Sequence, residues 1–230
     1  MPETSSVAGI FSGEGTITTR TYKEQAYRLL KDAILYQKLS AGAIYSQEAI
    51  CQEMGISRTP VREALLELQK EGYIYFCRGK GIQVVSLDRN TIHDIMEMRI
   101  CLERESASLA AKRACEADLQ YMDACLSENR KELDSGDIAL CYRLDHKFHR
   151  AVGKAAHNQL LYQALDDILD RYLQFETLSI YQSYMDAHAI WQEHKDLAEA
   201  IRAHDLPGAA SAAETHLQDA YRRTLGQYWL

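Results

Sequence analysis

The feature that most constrains the fold is a tight turn followed by a capped, amphipathic helix. Gly55 interrupts a helical pattern, and Ser57 stands where an N-cap residue is favoured. Pro60 falls in the first helical turn, where a missing backbone N–H costs little. Behind it, apolar residues recur at the spacing of one helix face: Val61, Ala64, Leu65 and Leu68. The pattern predicts a helix to about Glu71 with one face in a core.

Two helices are predicted before this segment and a hairpin after it. An apolar stripe of helical period runs through residues 22–36, and a second short helix is expected from Ser46 to Glu53. Strands are predicted from Tyr73 to Cys77 and from Gly81 to Val85, joined by a basic, glycine-containing tip at residues 78–80. Helix, turn, helix and hairpin together predict a winged helix-turn-helix.

This motif presents groups that suit double-stranded DNA. The second helix of such a unit enters the major groove by its first turn, which here carries Ser57, Arg58, Thr59 and Arg62. Arg58 and Arg62 are four residues apart and share a face opposite the apolar stripe. An arginine can bridge two acceptors of a guanine, and Arg78, Gly79 and Lys80 form a tip that can reach the backbone or minor groove. The alternative is a small helical hairpin with surface arginines. It does not explain why the turn, the apolar stripe and the wing hairpin all match the same DNA-binding motif.

Length and charge predict two domains. A chain of 230 residues is long for one core, and no stretch approaches the roughly 18 apolar residues of a membrane span. Residues 1–88 contain ten of the 26 Lys and Arg and ten of the 33 Asp and Glu, so the remainder carries the whole net charge of −7. The neutral first part can still bind phosphates, whereas the acidic second part should face away from DNA.

The cysteines and the N-terminus favour a cytoplasmic protein. The six cysteines lie ten or more residues apart without a C-x-x-C pair, which predicts buried, reduced thiols rather than disulfides or a cysteine zinc site. Residues 1–19 are rich in Ser, Thr and Gly and lack the basic and apolar segments of a secretory signal. We expect a disordered tail there.

From Thr91 onward the pattern is helical. It predicts six or seven helices in an antiparallel bundle, with breaks near residues 115–118, 135–136, 157–158, 184–186 and 205–208. The expected fold is therefore mostly α, with a winged helix-turn-helix domain (residues 20–87) and an all-α helical domain (residues 88–230).

Polar residues on apolar faces of these helices predict a metal site. Asp145 and His149 share one face with an apolar stripe, and His194 and His216 lie in line with apolar residues of later helices. A lone buried histidine is usually a hydrogen-bonded core residue, but three histidines and an aspartate facing one core favour a divalent metal, namely zinc, nickel or manganese. The remaining histidines are expected at helix ends or on polar faces, without a role: His93, His146, His157, His188 and His204.

The DNA-reading segment resembles a known family. The run GISRTPVREAL at residues 55–65, with Leu68 and Glu71-Gly72 after it, is similar to the signature of GntR-type regulators. The resemblance covers residues 21–87. It implies that Arg58, Thr59 and Arg62 read an operator and that Gly79 approaches DNA closely. Gln37 and Ala41 replace the family's usual glycine and proline before the second helix.

The helical half resembles the FadR-type C-terminal domain (FCD) of that superfamily. Arg99 and Glu103 belong to an R-x-x-L-E pattern, and Asp145, Phe148 and His149 belong to a D-x-x-F-H pattern. The other matching residues are Asn158, Glu193, His194 and His216. The metal-containing branch matches best, and this implies Asp145, His149, His194 and His216 as ligands and a small carboxylate effector that completes the metal's shell. Arg99 then either binds the carboxylate of the effector or forms an intrahelical salt bridge with Glu103.

These observations predict a homodimeric, ligand-responsive transcription regulator, expected to be a repressor, that binds a palindromic operator. One alternative is a repressor that senses the metal ion itself. Another is a metal-dependent hydrolase, which is disfavoured because no base accompanies the ligands as the Glu of H-E-x-x-H does.

Overall fold

The computed structural model describes residues 21–133, 138–175 and 187–228. They form two units, the first ending at Arg89 and the second beginning at Asn90. The expected disordered tail lies outside the described residues. The first unit contains, in chain order, α1 (Tyr22–Leu35), β1 (Ile44–Tyr45), α2 (Gln47–Met54), α3 (Arg58–Lys70), β2 (Ile74–Cys77) and β3 (Gly81–Val84).

The helices of the first unit follow the predicted pattern closely. The apolar stripe of α3 is buried, at 0–1% exposure for each of its four residues. At the start of α1, Thr21 and Glu24 form a reciprocal capping box, in which each side chain accepts a hydrogen bond from the other's backbone N–H. Ser46 and Ser57 stand at the N-caps of α2 and α3 as predicted, but neither side chain forms the capping hydrogen bond.

The predicted hairpin is present, with one additional strand. The antiparallel sheet has the order β1-β3-β2, and Ile44 and Tyr45 of β1 pair with Gln83 and Ile82. The sequence pattern predicts only an irregular break at residues 39–44. A two-residue strand is too short to show alternation, so only its pairing with β3 reveals it.

Backbone conformation explains two positions in this unit. Gln37 replaces the family's glycine and adopts φ 55°, a left-handed conformation that glycine enters without steric cost. Gly81, at the start of β3, adopts φ 119°, and a Cβ atom there would lie 2.1 Å from the Tyr45 carbonyl oxygen.

Gly81→Ala is expected to destabilise the winged unit. The strained backbone alone costs on the order of 1–3 kcal/mol, and the overlap with Tyr45 adds to this by forcing β1 away from β3. The measurement is the thermal unfolding of the full chain. Gly79→Ala is the matched control, because Gly79 also has positive φ (71°), but a Cβ atom added there would meet no described atom within 4 Å. Equal unfolding temperatures for the two variants would refute the proposed clash.

The second unit consists of six helices in its described residues, where the sequence pattern predicts six or seven for the whole domain. They are α4 (Arg89–Arg113), α5 (Glu116–Glu132), α6 (Ile138–Ala155), α7 (Gln159–Phe175), α8 (Ala187–Arg202) and α9 (Leu206–Tyr228). Two predicted breaks, at 135–136 and 184–186, lie outside the described residues. No helix in the described ranges combines the length and apolarity that a membrane crossing requires.

Helix packing in this unit buries a continuous apolar core. Helices α5 and α6, α6 and α7, α8 and α9, and α5 and α8 pack against each other. Core residues come from five helices, among them Ala107, Met122, Phe148, Leu197 and Ala213. Phe148 of this core stacks on the ring of His194, with ring centroids 4.7 Å apart.

The six cysteines are free thiols, but only three of them are buried as the sequence pattern predicts. Cys77 is half-buried, and Cys101 and Cys115 are exposed. Cys115 precedes α5 in a helix connection, and Cys101 lies on the exposed side of α4, so the spacing of the cysteines did not predict their exposure.

Candidate DNA-binding and metal sites

The first turn of α3 is exposed along the residues predicted to contact DNA. Ser57, Arg58, Thr59 and Arg62 are all exposed, opposite the buried stripe of the same helix. A guanidinium nitrogen of Arg58 lies 3.5 Å from a carboxylate oxygen of Glu48 in α2, and both side chains remain mostly solvent-accessible. A pair this exposed contributes little stability, so it does not prevent Arg58 from binding another anion.

The wing tip and the start of α3 line one groove. Its walls include Arg58 and Arg62 on one side and Arg78, Gly79 and Lys80 on the other. The tip closes through a hydrogen bond from the Lys80 N–H to the Cys77 carbonyl oxygen, and the positive φ of Gly79 allows this turn. Four positive charges thus face one concave surface, which suits a phosphate backbone and groove edges.

The same groove contains residues that the sequence pattern does not single out. Ser46, Gln47 and Glu48, at the start of α2, and Phe76 in the wing line it. The pairing of β1 with β3 brings the start of α2 beside the hairpin, so no local pattern identifies these residues as part of the groove.

In the helical unit, three histidines from three different helices converge. Ring nitrogens of His149 (α6), His194 (α8) and His216 (α9) lie within 4.8 Å of one another, and each residue is at most 5% exposed. The Nε2 atoms of His194 and His216 are 3.2 Å apart. Asp145 lies beside them, with its carboxylate oxygens 3.5 Å from His194 Nε2 and 3.6 Å from His149 Nε2.

Two carboxylates orient these rings. Glu103 Oε2 is 2.5 Å from His149 Nδ1, and Glu193 Oε2 is 2.7 Å from His216 Nδ1. A carboxylate accepts its hydrogen bond from Nδ1–H, which leaves the Nε2 lone pair available to a metal. In the sequence, Glu103 is noticeable only as the end of the R-x-x-L-E pattern, and Glu193 only as the neighbour of His194. The available signal for Glu103 was its spacing of four residues from Arg99 in the R-x-x-L-E pattern.

The donor set fits a divalent ion. His149 Nε2 is buried and has no hydrogen-bond partner among the described residues. Burial lowers the pKa of His149 to about 3, against the opposing effect of Glu103, and burial also holds the pKa of His194 well below its ordinary value. The rings of His149 and His194 are therefore neutral, as metal ligands must be. Bonds of about 2.0–2.1 Å place tetrahedral ligands roughly 3.3 Å apart, close to the separations here.

Arg99 is connected to this cluster through Glu103. Its Nε lies 2.6 Å from Glu103 Oε1, and its guanidinium stacks 4.5 Å from the centre of the Tyr172 ring. Burial alone would raise the pKa of Glu103, but the neighbouring His149 and Arg99 lower it below its ordinary value. Glu103 therefore stays ionised and bridges Arg99 to a predicted ligand, so the intrahelical pair considered for Arg99 is present.

The expectation that His146 lies on a polar face was wrong. His146 is 1% exposed, and its ring packs 4.8 Å from the ring of Tyr142 and 6.2 Å from that of Tyr172. Burial holds its pKa well below the ordinary value. The sequence pattern indicates one buried stripe on α6, but this helix is buried around most of its circumference between residues 141 and 149.

Comparisons with known proteins agree with both parts of the structure. The model of the family described as bacterial regulatory proteins, gntR family, matches residues 22–84, and the FCD-domain model matches residues 94–219. The Glc operon transcriptional activator of Escherichia coli (strain K12) is 29% identical over 219 residues, covering 85% of this chain and 84% of that protein. The HTH-type transcriptional repressor RspR of the same strain is 23% identical over 206 residues, covering 87% and 88%.

A solved structure shows the same fold. That of E. coli McbR/YncC matches with a TM-score of 0.82 at 19% identity, covering 91% of this chain and all of that one. The two family matches together span most of the chain and coincide with its two structural units. The chain belongs to the GntR family of bacterial regulatory proteins and is a DNA-binding transcriptional regulator with an FCD domain, not an enzyme.

Proposed function

We propose that this regulator binds a palindromic operator as a homodimer and responds to a small carboxylate through a divalent metal in its helical domain. The observation that carries the proposal is the convergence of three buried histidines and Asp145, with the buried Arg99 linked to them through Glu103. When bound, the metal supplies a positive centre that attracts a carboxylate oxygen. Zinc, nickel and manganese suit a donor set of imidazole and carboxylate.

Each residue of the site has a distinct part in this proposal. His149, His194, His216 and Asp145 hold the ion, and Glu103 and Glu193 fix two of the rings. Arg99 provides the second positive group for the effector, because a guanidinium can pair with two carboxylate oxygens at once. The effector changes DNA binding only if it has different affinities for the DNA-competent and DNA-incompetent arrangements.

The effector class is tested by thermal stability. A panel of small carboxylic acids is added to the metal-loaded full chain, and a true ligand at a hundred times its Kd stabilises the protein by about 2.7 kcal/mol. Arg99→Lys is expected to reduce this shift strongly, since lysine keeps the charge beside Glu103 but loses the two-pronged geometry. Arg104→Lys on the same helix is the control, because Arg104 is exposed. A panel that never raises the unfolding temperature contradicts the proposal.

A second candidate is a regulator whose effector is the metal itself. The four donors are enough for a complete tetrahedral shell, which would leave no position for an organic ligand. Titrating operator binding with metal at fixed organic acid, and with organic acid at fixed metal, separates the two. Under the carboxylate proposal, operator affinity changes in the second titration.

We further propose that residues 20–87 form the DNA-binding domain and residues 88–230 the effector and dimerisation domain. The isolated fragment from Asn90 to Leu230 is expected to stay folded and to show no operator binding, because its core is self-contained and its charge is acidic. Circular dichroism and gel shift measure the two properties. A gel shift by this fragment contradicts the division of function.

The sign of regulation and the site of action are also proposed. We expect the protein to be a repressor and to act in the cytoplasm. The relatives include both an activator and a repressor. A promoter–reporter fusion distinguishes the signs: reporter expression rises on deletion of a repressor gene and falls on deletion of an activator gene.

A further inference from the structure

A second group of metal-ligating side chains lies apart from the four predicted ligands. Ligand atoms of Cys115, Asp118 and His157 lie within 4.8 Å of one another. Cys115 precedes α5, Asp118 lies in its first turn, and His157 lies between α6 and α7. The thiol and the imidazole are exposed, and the carboxylate is half-buried. A thiolate, an imidazole and a carboxylate are the three side-chain types that bind zinc in proteins.

The two connections are held beside each other by Arg113, which is not one of these ligands, and by hydrogen bonds among the ligands themselves. A guanidinium nitrogen of Arg113 donates to the carbonyl oxygens of Ala156 and His157, at 3.1 and 3.4 Å. The Cys115 N–H donates to Asp118 Oδ2 at 2.9 Å, and the same oxygen lies 2.7 Å from His157 Nε2. The donors therefore approach each other in a frame that the backbone already fixes, which reduces the entropy cost of binding an ion.

We propose that Cys115, Asp118 and His157 form a surface site for a divalent zinc-type ion, with water as the fourth ligand. On binding, the Cys115 thiol releases its proton to solvent and the sulfur binds as thiolate. The bound ion replaces the His157–Asp118 hydrogen bond and links the α4–α5 connection to the α6–α7 connection. No cysteine pair with short spacing marks this site, because its ligands come from two separate helix connections.

The charges around the cluster permit a cation. Lys154 lies in the adjoining cleft, which Asp118, His157 and Tyr162 also line, but its ammonium is 5.6 Å from the centre of the Tyr162 ring in a cation–π contact. One thiolate and one carboxylate balance the two charges of the ion.

Cobalt(II) distinguishes this site from the histidine cluster. The cluster offers only nitrogen and oxygen donors, so a near-ultraviolet sulfur-to-cobalt charge-transfer band reports a cysteine-containing site. The full-length protein, reduced with a phosphine, is titrated with cobalt chloride without oxygen. We expect the band to correspond to one cobalt ion per chain, beyond the ion that the histidine cluster binds, and to disappear when zinc is added. Cys115→Ser should abolish the band, and Cys101→Ser, at another exposed cysteine, should leave it unchanged.

The remaining ligands are tested by affinity. Asp118→Asn and His157→Gln preserve side-chain size, and each should weaken the cobalt affinity read from this band by about tenfold or more, since even an outer-shell substitution costs about 10–100-fold. Circular dichroism verifies that each variant is folded. The proposal is overturned if the folded wild type gives no band, if the band persists in Cys115→Ser, or if both affinity variants bind cobalt as the wild type does.

Discussion

Replacement of His194 or His216 by alanine is expected to remove most of the divalent metal that co-purifies with this regulator. The wild type, prepared without chelator, should contain about one ion per chain in the histidine cluster. Each substitution removes one of four donors, and the His194 and His216 donors come from separate helices, α8 and α9. Because the folded state alone assembles the site, metal at a thousand times its Kd stabilises it by about 4 kcal/mol, and the variants should lose this gain.

The measurement is elemental analysis combined with thermal unfolding in the presence and absence of chelator. His188→Ala is the matched control, because His188 is exposed on the same helix as His194. His146→Ala is unsuitable as a control, since that ring is fully enclosed beside the cluster and its removal leaves a cavity. If the wild type is metal-free, and if its stability does not change with chelator, zinc, nickel or manganese, these histidines only pack in the core.

Arg58→Ala and Arg62→Ala are each expected to abolish specific operator binding without unfolding the protein. A base contact by arginine is worth about 1–3 kcal/mol, and a dimer loses it twice, so affinity should fall by about 2–6 kcal/mol, or roughly 30-fold to 10⁴-fold. Both side chains are exposed and project from the first turn of α3 into the groove, so their removal leaves the core intact. Fluorescence anisotropy with the operator measures the loss.

Lys70→Ala provides the control for charge. Lys70 is also basic and exposed on α3, but it ends the helix, about two turns from Arg62 and about three turns from Arg58. Its removal should change operator affinity little. If Arg58→Ala or Arg62→Ala binds the operator with unchanged affinity and salt dependence, α3 is not the recognition helix.

Local patterns in the sequence predicted the helices of the winged unit and both strands of its hairpin. They succeeded because each of these patterns, the apolar stripe of α3 and the alternation in the hairpin strands, is complete within a short stretch of sequence. They missed β1, whose two residues form a strand only by pairing with β3. They also placed His146 on a polar face. Neighbouring helices enclose this part of α6 on most sides, so its buried residues do not form a single apolar stripe.

The sequence by itself indicated the family, the two-part organisation and the four residues that we propose as metal ligands. The spacing of Asp145 and His149 places both on one face of α6, since residues four apart on a helix are neighbours. The tertiary structure alone decided that His194 and His216 meet that face, that Glu103 contacts His149, and that Cys115 lies beside His157. These contacts join residues up to 67 positions apart along the chain (His149 and His216), and only the packing of the helices determines them.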